Sequence, residues 1–133
     1  FGTTRGPVES HALRLGRSPA RQFADLGHRL VVGVHGATFG AGIELAAFAG
    51  TVIAAEDARI GLPELGLGLV PGAGGTVSIP RRAGRQRLLQ LLYTGESVDA
   101  SIAHTWGLVD EVVPRAELVD RLRQVASRAS ARP

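Results

Sequence analysis

Two glutamates stand where acid–base chemistry is possible. Glu44 lies just past a run of glycines, Gly36, Gly40 and Gly42, and Glu64 directly follows Pro63. Glycines at that density let backbone approach backbone or ligand closely. Where such a turn feeds a helix, the first N–H groups are unpaired and carry partial positive charge, so they can stabilise an oxyanion. The N–H of Ala41 is the candidate donor. Glu44 follows three residues later, one helical turn on, so its side chain can lie near the same face. Were the two carboxyl groups to share one partly buried site, they could not both ionise freely, which would raise one pKa. Each acid also has a plain reading: Glu44 as a helix-surface acid that favours a helix start, and Glu64 as a first-turn acid after a proline.

Other chemistries find no motif. A phosphate-binding P-loop needs a lysine, and the chain has none. In the dinucleotide pattern G-x-G-x-x-G, Leu45 stands where the third glycine should follow Gly40 and Gly42. Neither Ser78 nor Ser97 sits in a G-x-S-x-G elbow. His11, His28, His35 and His104 show no metal-ligand spacing, and with no cysteine there is neither a disulfide nor a thiolate site. His35 reads as a core or turn residue and Trp106 as core.

The elements that must position the glutamates alternate between strand and helix. Ser18-Pro19 opens a short helix, with Phe23, Leu26 and Leu30 on its apolar side. Leu30 to Val34 is continuously apolar and reads as a buried strand. A glycine-rich turn leads to a helix over Ile43 to Phe48 that stops near Gly50, and Thr51 to Ala55 is a second buried strand. Ile60 to Leu62 is short and extended, Leu65 to Val70 apolar and flexible, and Pro71 to Gly75 a second tight turn. Thr76 caps a helix reaching Arg82. After Gly84 another helix runs from Arg85 to Tyr93, with Leu88, Leu89, Leu91 and Leu92 inward. Asp99 caps a helix to Trp106, and Leu108 to Val113 is extended. Pro114 starts an amphipathic helix with Leu118, Leu122, Val125 and Ala129 on one face. No internal repeat or linker is visible. The alternation predicts an α/β fold in a single domain, residues 1–133.

Composition narrows the class further. The 133 residues are 44% hydrophobic and 20% charged, ordinary for a globular domain with a real core. The net charge is +3 and all 15 basic residues are arginine, so the basicity reflects residue choice more than a large charge excess. Aromatic residues do not interleave with basic ones as on a nucleic-acid surface. Arg81, Arg82, Arg85 and Arg87 read first as a solvated helix face, and second as an attraction for phosphates. No apolar run is long enough to span a bilayer. The absence of cysteine fits a reducing, cytoplasmic setting. Because the chain opens on Phe1, it reads as a piece of something longer or as a processed chain.

The longest ordered patterns are more specific. The run H-G-A-T-F-G-A-G-I-E-L-A at 35–46 and the run A-A-E-D-A-R-I-G-L-P-E-L-G-L-G-L-V-P-G-A-G-G-T at 54–76 resemble the enoyl-CoA hydratase/isomerase, or crotonase, family. The stretches Leu92 to Gly95 and Trp106 to Pro114 are similar to its downstream pattern. The resemblance covers Leu30 onward. It implies a ClpP/crotonase-like spiral of ββα units, present in part, assembled as a trimer or hexamer. It implies that Glu44 and Glu64 hold and activate water, and that the Ala41 N–H is half of an oxyanion hole for a thioester carbonyl. Gly40 and Gly72 would lie against the substrate. The substrate implied is an acyl-CoA thioester, with no cofactor beyond that coenzyme A, no nucleic acid and no membrane. The activity implied is water addition to a 2-enoyl-CoA. The alternatives are double-bond isomerisation on the same scaffold, or a truncated non-catalytic subunit. His35 and Ala41 depart from the family's usual asparagine and glycine. The family's first coenzyme-binding loop, which carries the other oxyanion donor, has no evident counterpart, although something within Gly2 to Gly6 could stand in. The family's C-terminal helices are also missing. A half-spiral of this kind would expose strand edges and apolar faces and so associate.

Overall fold

The computed structural model describes residues 18–130 continuously, with Val8, Ala12 and Gly16 ahead of them. The turn expected over Phe1 to Pro7 and the loop sought within Gly2 to Gly6 lie outside the described residues. So does the side chain of Ala129.

Two three-stranded sheets form the frame. The first contains β1 (Val31–Val34), β3 (Thr51–Ala55) and β6 (Glu111–Val113) in the order β1-β3-β6, all parallel. The second contains β2 (Ala37–Phe39), β4 (Arg59–Gly61) and β5 (Val98–Asp99) in the order β2-β4-β5, with β2 and β4 parallel and β5 antiparallel to β4. The chain places β1 in one sheet and β2 in the other, then enters helix α2 (Ala41–Ala46). It repeats that path through β3, β4 and α3 (Gly75–Ala83). These are two successive turns of a ββα spiral. The repeat lies in the path and not in the residues, so the sequence, which shows none, conceals it.

Burial explains why β3 is central. All four residues from Val52 to Ala55 are fully buried. Side chains alternate across a strand. Val52 and Ala54 enter the main core with Ile43, Ile60, Leu62, Ile79 and Leu108. Ile53 and Ala55 enter a second cluster with Val113 and Leu118, against which Leu122 and Val125 pack. That second cluster is covered by the last helix, α6 (Leu118–Ser130), which packs on β1 and β3. A parallel sheet covered on both faces accounts for the uninterrupted apolar run at Thr51 to Ala55.

Several boundaries differ from the sequence reading. Helix α1 (Pro19–Leu26) begins at the expected proline, but the Ser18 side chain makes no capping bond. Helix α2 starts two residues before Ile43 and ends at Ala46. Helix α3 is preceded by Gly74 at a φ of 103°, so Thr76 lies inside the helix and is not its cap. Leu65–Leu67 forms a short 3-10 turn. Helix α4 (Arg85–Thr94) buries Leu88 and Leu91 and half-buries Leu89 and Leu92. Asp99 caps α5 (Ala100–Thr105) as expected: its Oδ1 accepts the Ile102 N–H at 2.8 Å. That bond and the Ser101 hydroxyl hold the Asp99 carboxyl below its ordinary pKa. The extended segment at Leu108 to Val113 pairs as a strand only from Glu111, and a 3-10 turn at Arg115–Glu117 separates Pro114 from α6.

Arg82 is not a solvated residue. Its guanidinium donates to the carbonyls of Ala47 (3.2 Å) and Ala49 (2.9 Å), and its nitrogens meet both oxygens of Asp110, the shorter contact at 2.9 Å. Asp110 in turn accepts the Val52 N–H at 2.7 Å. One side chain thereby ties α3 to the end of α2, the start of β3 and the segment before β6. Arg87 also has a partner, lying 4.7 Å over the half-buried Trp106 ring. Arg81 and Arg85 are exposed, as a solvated face requires.

Candidate active site

The glutamates come from successive turns of the spiral. Glu44 lies in α2 of the first turn, and Glu64 follows β4 of the second. Glu44 is 2% exposed, a burial unusual for a carboxylate. Its Oε2 accepts two backbone N–H bonds, from Ala73 at 2.9 Å and Gly75 at 2.8 Å. The glycine turn at 71–75 therefore serves the first glutamate. An added Cβ at Gly75 would stand 2.6 Å from Glu44 Cγ, so only glycine allows the two elements to close this far. The carboxylate points to this second turn and not back to the start of its own helix.

Glu64 is held differently. An added Cβ at Gly40 would come within 2.6 Å of Glu64 Oε1, so the carboxyl rests flush against the first glycine turn. Gly40 has a φ of +53°, which a side chain would strain. Glu64 Oε2 is buried and has no hydrogen-bond partner among the described residues. A buried acceptor without a donor is costly and calls for explanation.

The two carboxyl groups approach closely enough to affect each other. Burial raises the Glu44 pKa above the ordinary glutamate value, the Gly75 and Ala73 N–H groups oppose the rise, and Glu64 adds to it. Burial is the largest single cause, and together with Glu64 it outweighs the two donors.

The remaining candidates lie near this pair. Ala41 is exposed at the first position of α2, and its N–H takes no acceptor among the described residues. Gly72 is exposed one residue before Ala73. A shallow cleft of about 260 Å³ is lined by residues 32–35 and 37–39 and by Gly42. It runs along the outer strands β1 and β2 to the first turn of α2, and neither carboxylate lines it. His35 borders the cleft as an exposed turn residue, not a core one. Among the described residues no cluster of three or more His, Cys, Asp or Glu could hold a metal ion.

The sequence profile described as enoyl-CoA hydratase/isomerase matches residues 20–133. The chain belongs to this family. It is 41% identical over 99 residues to the 2,3-dehydroadipyl-CoA hydratase of Escherichia coli, covering 74% of this chain and 39% of that protein. It is 38% identical over 120 residues to the crotonyl-CoA hydratase of Syntrophomonas wolfei, covering 82% of this chain and 46% of that one. An enoyl-CoA hydratase/isomerase structure from Cupriavidus metallidurans superposes with a TM-score of 0.84 at 34% identity, covering 96% of this chain and 49% of that chain. The crotonase-type spiral is thus shared. The chain spans half or less of the length of these relatives. No helix among the described residues is long and apolar enough to cross a membrane.

Sequence reasoning missed two participants. Ala73 looks like filler between glycines, yet its N–H holds Glu44. Ser78, which lacks the elbow of a nucleophile, donates its hydroxyl to the Glu44 backbone carbonyl at 2.6 Å.

Proposed function

We propose that this chain carries the acid–base centre of a hydro-lyase that adds water across the C2–C3 double bond of a 2-enoyl-CoA thioester. The observation that carries the reading is the glutamate pair. One carboxyl is buried, braced by two N–H groups and raised in pKa. The other holds a buried oxygen with no protein donor. A substrate water is the donor that Glu64 Oε2 lacks.

Hydration needs two proton movements. As the water oxygen bonds to C3, its proton passes to a carboxylate. The electron pair of the double bond moves towards the thioester carbonyl, and C2 then takes a proton from a carboxylic acid. The pair ends with the protons it began with, and the product gains one water. Either carboxyl can take the proton from water, so these roles belong to the pair and not to either residue alone. The Ala41 N–H stabilises the enolate-like oxygen, with Gly40 and Gly72 leaving room for the thioester. Losing one such donor typically costs about 3 kcal/mol. The reaction uses no cofactor beyond the coenzyme A of the substrate.

Relatives named as hydratases of CoA thioesters support this reading. Two carboxyl groups, where proton shuttling alone needs one, favour hydration over isomerisation. The outer strands β1 and β2, with Leu67, Leu69 and Val70 at 58–73% exposure, support self-association, which we take as a trimer or hexamer in the cytoplasm. The test is crotonyl-CoA hydration by this chain and by Glu44→Gln and Glu64→Gln, followed by loss of enoyl-thioester absorbance. Turnover that falls at least 100-fold in each variant supports the reading. A folded chain with neither turnover nor coenzyme A binding contradicts it.

A further inference from the structure

We propose that Ser78 is a positioning residue for Glu44, acting from α3 through the Glu44 backbone; the inference rests on the hydratase reading for its kinetic consequence. Helix α2 has only six residues, so its last carbonyls lack partners within the helix. The N–H groups that follow are committed elsewhere: Ala47 donates to Ile43, Phe48 to Leu45 and Ala49 to Ala46. The Glu44 carbonyl is therefore left to the Ser78 hydroxyl, which donates to it at 2.6 Å. Ser78 is fully buried and Glu44 is 2% exposed, so water does not compete for this bond.

A serine inside a helix ordinarily bonds back to its own preceding turn or faces solvent. Ser78 reaches across to the neighbouring helix. Three bonds from one segment then fix one residue: Ala73 and Gly75 hold the carboxylate, and Ser78 holds the backbone that carries it. With Gly75 packed against Glu44 Cγ, the side chain keeps its place only while α2 and α3 keep their spacing. A reacting group that must be held within about half an ångström depends on such supporting bonds.

The experiment pairs kinetics with amide exchange on Ser78→Ala and on Ser78→Thr, which keeps the hydroxyl. The Gly75 amide reports the grip on Glu44, and the Ala54 amide, in the middle of β3, reports the fold. Ser78→Ala is expected to lower kcat for crotonyl-CoA about tenfold with KM within about twofold, the size of one lost buried hydrogen bond. It is also expected to speed exchange at Gly75 about tenfold relative to Ala54. Ser78→Thr is expected to restore both. Equal acceleration at Gly75 and Ala54 would overturn the proposal. So would an unchanged kcat in Ser78→Ala, or Ser78→Thr behaving like Ser78→Ala. A parent chain without turnover would sink the hydratase reading instead, and the tether would then be decided by the exchange ratio alone.

Discussion

The seam between α2 and α3 and the segment that begins at Glu64 treat their carboxyl groups in opposite ways. At the seam, Glu44 is sealed in, and its Oε2 and its backbone carbonyl both bond to residues 73–78. Beyond Glu64, the chain runs through Leu65, Leu67, Leu69 and Val70, all exposed, and Glu64 Oε2 is left without a partner. A buried carboxyl held by the protein resists movement. One left partly unsatisfied keeps the capacity to accept a further hydrogen bond. The contrast teaches that the two acids, although paired, are not equivalent: one is held by two backbone N–H groups, and the other keeps one oxygen without a donor among the described residues.

The most damaging way to break this contrast is Gly75→Ala. Its Cβ would meet Glu44 Cγ at 2.6 Å, and the grip on Glu44 leaves little room for relief. Displacing a reacting group by about 1 Å costs on the order of 100-fold, so kcat should fall by about that factor while circular dichroism shows a folded chain. Arg82→Ala tests the same seam as scaffold. The bonds to Ala47, Ala49 and Asp110 are lost together, and their carbonyls lie beside a side chain that is only 12% exposed. Denaturant unfolding should show a loss of about 2–4 kcal/mol, less than for a fully buried pair because Asp110 is partly solvated.

Glu44→Gln should move stability in the opposite direction. A raised pKa means that the folded chain holds the Glu44 proton more tightly than the unfolded chain does. The favourable contribution of that proton is complete below the unfolded pKa and is lost as pH rises through the raised folded value. A neutral glutamine should therefore raise Tm at pH 7, with a gap that closes towards the unfolded glutamate pKa. A catalytic site that costs stability would show this trade. The smallest effect is expected beyond Glu64. Leu67→Ser together with Val70→Ser should leave unfolding free energy within about 0.5 kcal/mol, since both side chains are already exposed. It should lower self-association in sedimentation experiments.

The contrast also marks where the sequence is readable. The strand at Thr51 to Ala55 is legible because both of its faces are buried, which removes polar residues from the run. Glu44 and Glu64 are legible as a pair because each follows a glycine- or proline-marked turn. Strand β2 is hidden because three residues between Gly36 and Gly40 carry no period, and β5 has only two. The cap of α3 is misread because Thr76 has the chemistry of a cap, whereas the turn geometry requires the left-handed Gly74 before it. Arg82 is misread because an arginine in a basic cluster looks solvated. Only the fold shows that several carbonyls and a carboxylate converge on it. Ser78 carries no local signal, since its partner lies 34 residues away.

The central claim is that Glu44 and Glu64 form one coupled acid–base site. Its most direct test is a titration of the Glu44 carboxyl by carbon-13 NMR, in the chain and in Glu64→Gln. The account predicts a Glu44 midpoint above the ordinary glutamate range that falls when Glu64 loses its charge. A Glu44 that titrates as an ordinary glutamate, unmoved by Glu64→Gln, would contradict it.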